Sequence, residues 1–263
     1  MLQRIIYSLI IIPVVLYVVV SGGLPLRAAL LVVSAIALLE MYKALYTKLN
    51  AINYFGFLFV GILYLFIDTA VYYFFAFVMI WVIINFLYIV FSYEKTQGNT
   101  NPIHHIANIV LPIYIGFLIT IYLSRDISPY FVWFIFIGAW GCDTFAYFVG
   151  KTCGKRKITP TISPTKTLEG TIGGIIGAVI IGAGYSFAIT HFFGLEVNIL
   201  LYSTICGILA VFAQFGDLAA SALKRYSGIK DFGQIIPGHG GIMDRFDSIL
   251  LAAPVFYIII YII

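Results

Sequence analysis

Asp244 and Asp247 stand three residues apart with Arg245 between them, directly after the run Pro237-Gly238-His239-Gly240-Gly241. Upstream, Asp217, Ser221 and Lys224 fall at i, i+4 and i+7, which puts them on one helical face, and Arg225, Lys230 and Asp231 follow. Carboxylates aimed at one small volume repel, and a divalent cation relieves that repulsion. Oxygen donors of this kind suit Mg2+, which takes a few carboxylates together with water and substrate phosphates. Gly240 and Gly241 allow backbone amides to approach a phosphate, and His239 adds an imidazole donor.

Two further groups carry related chemistry. Asp143 lies within an apolar run, with Tyr147 and Gly150 on the same face, and an isolated carboxylate there must look into a bundle or bind a cation. The segment Ser163-Pro164-Thr165-Lys166-Thr167-Leu168-Glu169-Gly170 combines hydroxyls, a chain-fixing proline, one cation and a helix start. That is the composition of a phosphate-binding turn, although it lacks the order of a P-loop. Lys151, Lys155, Arg156 and Lys157 just before it also read as a membrane-surface anchor. Together these groups describe phosphoryl or nucleotidyl transfer, in which catalysis is mostly positioning and charge neutralisation. A transporter whose intramembrane carboxylates coordinate a moving ion is the alternative, but transport alone does not call for so many cations beside them.

The elements that must hold these residues lie in lipid. With 62% hydrophobic residues, 10% charged ones and a mean hydropathy of +1.05, the chain cannot be a water-soluble domain. Apolar runs predict an all-α, polytopic transmembrane helical bundle of about nine spans, roughly 5–20, 26–46, 54–68, 70–92, 106–123, 128–149, 170–193, 198–222 and 247–263. Asp68 and Thr69 mark a surface turn between the third and fourth. On this layout Arg27 and Arg125 alone face one side. Arg4, Lys43, Lys48, Lys95 and all the other cations face the opposite one, which should be cytoplasmic. Loops 151–169 and 224–245 then share the cytoplasmic face.

Residues 1–92 read as a transmembrane scaffold with no polar constellation, and 93–263 as the catalytic region. Ser92 to His105 reads as a polar surface loop in which His104 and His105 are solvated. Arg4 before an apolar run and Ser21-Gly22-Gly23 after it could mark a cleaved signal; an uncleaved first span is expected. Cys142, Cys153 and Cys206 have no C-x-x-C spacing and read as reduced thiols without chemistry. Gly170, Gly173, Gly174 and Gly177 predict close helix packing.

From Ser221 to Asp247 the pattern S-x-x-K-R, K-D-x-G and P-G-H-G-G-x-x-D-R-x-D resembles the long signature of the phosphatidate cytidylyltransferase family. Asp143-Thr-Phe-Ala-Tyr147-Phe-Val-Gly150 and Ser163 to Gly170 resemble that family's other motifs. The resemblance is strong over 139–248 and rests on hydropathy alone over the first 92 residues. It implies transfer of CMP from CTP to phosphatidic acid, giving CDP-diacylglycerol and pyrophosphate, with Mg2+ and a second metal ion. It also implies a homodimer in a bacterial inner membrane among membrane lipids, an active site on the cytoplasmic side, and no nucleic-acid partner. Asp217, Asp244, Asp247 and Asp143 are then the expected metal ligands, and Lys224, Arg225, Lys166 and His239 the expected catalytic groups. Ser163, Thr167, Ser221, Lys230, Asp231, Gly240, Gly241 and Arg245 are expected to bind substrate. CDP-alcohol phosphotransferases use D-x-x-D-G-x-x-A-R, which Asp244-Arg-Phe-Asp247-Ser-Ile-Leu does not continue. Membrane CTP-dependent polyprenol kinases share the donor but would release CDP.

Overall fold

A computed structural model describes residues 13–46, 49–96, 102–235 and 240–263. Arg4, Lys48 and the segment 236–239, with its expected imidazole donor His239, lie outside the described residues. Residues 13–21 are helical, and α1 (Gly23–Leu45), α2 (Ala51–Leu65), α3 (Ile67–Thr96), α4 (Pro102–Gly116) and α5 (Ile119–Ile127) follow. The chain continues through α6 (Val132–Phe136), a π-helical turn (Ile137–Gly141) and α7 (Cys142–Cys153). A hairpin of β1 (Lys157–Thr159) and β2 (Ser163–Thr167) leads into α8 (Leu168–Phe193), α9 (Ile199–Tyr226), α10 (Met243–Phe246) and α11 (Ile249–Ile262).

Five described helices are long and apolar enough to cross a membrane: α1, the α4–α5 run Ile103–Ile127, the α6–α7 run Val132–Cys153, α8 and α9. The protein is therefore built as an integral membrane helical bundle. Others of the expected nine spans are shorter here. The α2 helix has 15 residues and α11 has 14, against about 20 for a perpendicular crossing. The α2–α3 break falls at Phe66 (φ −107°, ψ 35°), so Asp68 and Thr69 sit in the first turn of α3 rather than in a separating turn. An acidic side chain is favourable at that helix end.

Two expectations are corrected. The loop expected over 92–105 is narrower, because α3 runs on to Thr96 and α4 opens with Pro102, a residue suited to a first helical position; His104 and His105 are helical. The loop expected over 151–169 carries a short hairpin within an otherwise helical bundle. β1 and β2 pair antiparallel with Lys157 opposite Thr167 and Thr159 opposite Ser163. The α8 helix starts at Leu168, two residues before expectation, because Thr167 is its cap: Thr167 Oγ1 accepts from Gly170 N at 3.1 Å.

Small residues let α7 and α8 approach closely, as their spacing predicts. A Cβ on Gly170 would lie 2.8 Å from Ala146 O, and one on Gly174 would lie 2.8 Å from Cys142 O. This fixes the cap of α8 against the face of α7 that carries Asp143. A single apolar cluster from Val19 to Phe256 runs through the N-terminal helices and α11 alike. The expected scaffold also has polar ties: Tyr46 Oη donates to Asn108 Oδ1 at 2.7 Å and Asn53 Nδ2 to the same atom at 2.8 Å. The two cations of the poorer side hold helix ends. Arg27 donates to the carbonyls of Tyr64 and Leu65 where α2 ends, and Arg125 Nη2 to Val20 O at 2.9 Å.

Candidate active site

The expected site residues divide into an open group and a buried one. The open group lines a cavity of about 420 Å3 that includes Asp143, Tyr147 and Gly150 of α7, Lys166 and Thr167 of the hairpin, and Asp217 of α9. The i, i+4, i+7 spacing read from Asp143 therefore faces one space. Lys166 Nζ lies 2.6 Å from Asp217 Oδ2, and Ser221 Oγ donates to the other oxygen, Oδ1, at 3.1 Å. Both charged side chains keep about a quarter of their surface open, 22% and 27%. The Lys166 Nζ atom itself is covered, so the open part of this side chain is its methylene stem.

The buried group sits beside it. Lys224, 8% exposed, is 2.8 Å from Asp244 Oδ1 and 3.9 Å from Asp247 Oδ2. Asp244 Oδ2 accepts from Phe232 N and Gly241 N, each at 2.9 Å, so both of its oxygens are engaged. Gly240 has φ +86°, and a Cβ there would lie 3.0 Å from Asp244 Oδ2, so this turn needs glycine. Ser248 joins the groups: its N donates to Asp247 Oδ1 at 2.8 Å and its Oγ to Asp143 Oδ2 at 3.2 Å.

Some expected residues stand elsewhere. Ser163 pairs with Thr159 in the hairpin and does not line the cavity. Arg225 donates from Nε to Ile162 O and from Nη1 to Ile229 O, each at 3.2 Å, pinning the hairpin turn to the end of α9. Lys230 and Asp231 are exposed on the loop after α9, and Arg245 is exposed on α10, where its carbonyl accepts from Trp140 Nε1 at 3.4 Å. The three cysteines are free thiols, as expected.

Sequence reasoning passed over four residues. Lys151 and Lys157, read as anchors, line the cavity. So does Gln214, whose Nε2 donates to Thr171 O at 3.2 Å. Glu40 of α1 accepts from Ile242 N at 3.1 Å and Met243 N at 2.8 Å. A carboxylate inside an apolar run was the signal for Glu40, as it was for Asp143.

Among the described residues no three of His, Cys, Asp or Glu gather closely enough to hold a metal by themselves. Mg2+ does not require such a cage, since it is bound by one or two carboxylates plus substrate phosphates. Asp143 and Asp217 on one cavity wall, facing lysines suited to phosphate, fit that kind of ion.

The cytidylyltransferase family matches residues 2–263. The phosphatidate cytidylyltransferase of Bacillus subtilis (strain 168) is 34% identical over 268 residues, covering 99% of this chain and 97% of that protein. The phosphatidate cytidylyltransferase of Staphylococcus haemolyticus (strain JCSC1435) is 42% identical over 146 residues, 56% of this chain and 54% of its own. One from Thermotoga maritima is 39% identical over 157 residues, 59% of this chain and 57% of its own. Because the match takes in the N-terminal helices as well as the charged cavity, from residue 2 to residue 263, the chain belongs to the cytidylyltransferase family and is a nucleotidyltransferase.

Proposed function

We propose that this protein is a phosphatidate cytidylyltransferase of phospholipid biosynthesis, transferring CMP from CTP to phosphatidic acid. The observation that carries the proposal is the placing of Lys166, Asp217 and Asp143 on one cavity within the membrane bundle. The names of the similar proteins support the choice of substrates.

A phosphate oxygen of phosphatidic acid attacks the α-phosphorus of CTP. The bond from that phosphorus to the bridging oxygen breaks, and its electron pair leaves with pyrophosphate. A phosphomonoester loses its second proton near pH ~6, so the nucleophile is ready at neutral pH without a general base. Both reactants are anions, and Lys166, Lys151 and Lys157 line the cavity where their charge must be neutralised. Asp143 and Asp217 would hold Mg2+, with Asp247 and Asp244 completing the acidic set. When bound, the ion neutralises and orients phosphate oxygens. Lys224, held by Asp244 at 2.8 Å, would be a further partner for a substrate phosphate. The cation asymmetry of the chain supports a cytoplasmic active site in a bacterial inner membrane, and the family resemblance supports a homodimer and a second metal ion.

The test is to incubate detergent-purified protein with CTP and phosphatidic acid, with and without Mg2+, and to follow pyrophosphate and lipid product. Metal-dependent pyrophosphate together with a cytidine-bearing lipid is expected. Release of CDP without such a lipid would make the protein a kinase instead.

A further inference from the structure

Glu40 is 4% exposed on an otherwise apolar stretch of α1, yet both of its oxygens are bound by a turn of chain at the far end of the sequence. Ile242 N and Met243 N are among the amides that the start of α10 leaves without an intrahelical partner. A Cβ on Gly241 would sit 2.5 Å from both Glu40 oxygens, and one on Gly233 would also collide with this carboxylate. At these two glycines the backbone approaches a protein carboxylate rather than a substrate phosphate. The amide of Gly241 is itself given to Asp244. Asp244, next after Met243, holds Lys224 at 2.8 Å. A continuous set of contacts thus runs from α1 through the turn 241–243 to Asp244 and Lys224. Packing alone would not place a carboxylate here, because burying one is costly unless it is fully hydrogen-bonded. Bonds from amides to a charged acceptor are roughly twice as strong as neutral ones.

We infer that Glu40 is a positioning residue of the active site, fixing from α1 the glycine turn that presents Asp244 and, through it, Lys224. The kinetic part of this inference rests on the cytidylyl-transfer reading, and the structural part on geometry alone.

The test uses the full chain in detergent with Glu40→Ala, Glu40→Gln, Asp244→Asn and the Glu40→Ala/Asp244→Asn double variant, each checked for a cooperative melt. Two quantities are read: kcat and KM for CTP, and amide hydrogen exchange of the peptide covering 240–247. Glu40→Ala is expected to lower kcat about 10- to 100-fold, the range for groups that orient a site from behind. Its KM should stay within about two-fold. Exchange over 240–247 should rise while that of the first half of α9 does not change. Glu40→Gln, which keeps one acceptor oxygen, should fall between. The double variant should lose no more than the worse single one, because both act on one turn. Unchanged exchange in Glu40→Ala overturns the inference whatever the rate does, and so does a double loss equal to the product of the singles. If wild-type protein forms no cytidine-bearing lipid, the reaction reading fails, and the exchange result alone decides the role of Glu40. If Glu40→Ala does not fold, Glu40→Gln carries the same comparison.

Discussion

Lys166 Nζ and Asp217 Oδ2 lie 2.6 Å apart and tie the β2 strand to the middle of α9 across the cavity. The pair keeps a cation and a carboxylate at fixed places on the cavity wall before any ligand arrives. Electrostatic preorganisation of this kind is usually the largest single contribution to such catalysis.

Removing the cation should therefore be costly to rate. Lys166→Met is expected to lower kcat about 10²-fold, as loss of one preorganised donor does. Pyrophosphate release measures it. A rate within about two-fold of wild type would leave Lys166 a structural partner of Asp217 only.

Lys224 should matter for stability as well as turnover. Its ammonium compensates Asp244 and Asp247 in a nearly closed environment. Lys224→Met should cost about 3 kcal/mol by leaving these carboxylates uncompensated, and adding Asp244→Asn should recover part of that loss. Kcat should drop about 10²-fold in both. Denaturant unfolding gives the stability terms, and equal stability of Lys224→Met and wild type would show that the pair is not effectively buried.

The α7–α8 contact separates two glycines of one helix. A side chain at Gly174 would meet Cys142 O and Sγ at 2.8 Å, whereas one at Gly184 would meet nothing within 4 Å. Gly174→Val should destabilise by about 1–3 kcal/mol, and Gly184→Ala should be close to neutral. Thermal melts in detergent distinguish them, and an unshifted melt for Gly174→Val would show that α8 can slide away from α7 at no cost.

Chelation should abolish turnover and added Mg2+ should restore it. Asp217→Asn should raise the Mg2+ concentration for half-maximal rate at least about 10-fold, without a comparable change for Lys230→Ala. Activity that survives thorough chelation would remove the metal from the mechanism.

Much of this was legible in the chain. Asp143, Tyr147 and Gly150 share a face because helical period is local, and all three reach the same cavity. The hairpin at 157–167 was not legible, because a short two-stranded turn among lysines carries no alternating apolar pattern. Glu169 closes it locally by accepting from Lys155 N at 2.9 Å and Arg156 N at 3.2 Å, but its other anchor is distant, since Arg225 grips Ile162 O from another helix. Lys151 and Lys157 could not be told from surface anchors, since a lysine at a membrane has the same sequence signature whichever way it turns.

The sequence by itself determined a membrane bundle and the three polar groups that interrupt or border its apolar runs. Those properties follow from composition and from the short period of a helix. Only the tertiary structure decided that Lys166 stands opposite Asp217 in an open cavity while Lys224 is enclosed between Asp244 and Asp247. It alone brought Glu40 to a turn 202 and 203 residues away. Pairings of that kind are set by which helix faces pack together, and no local pattern records them.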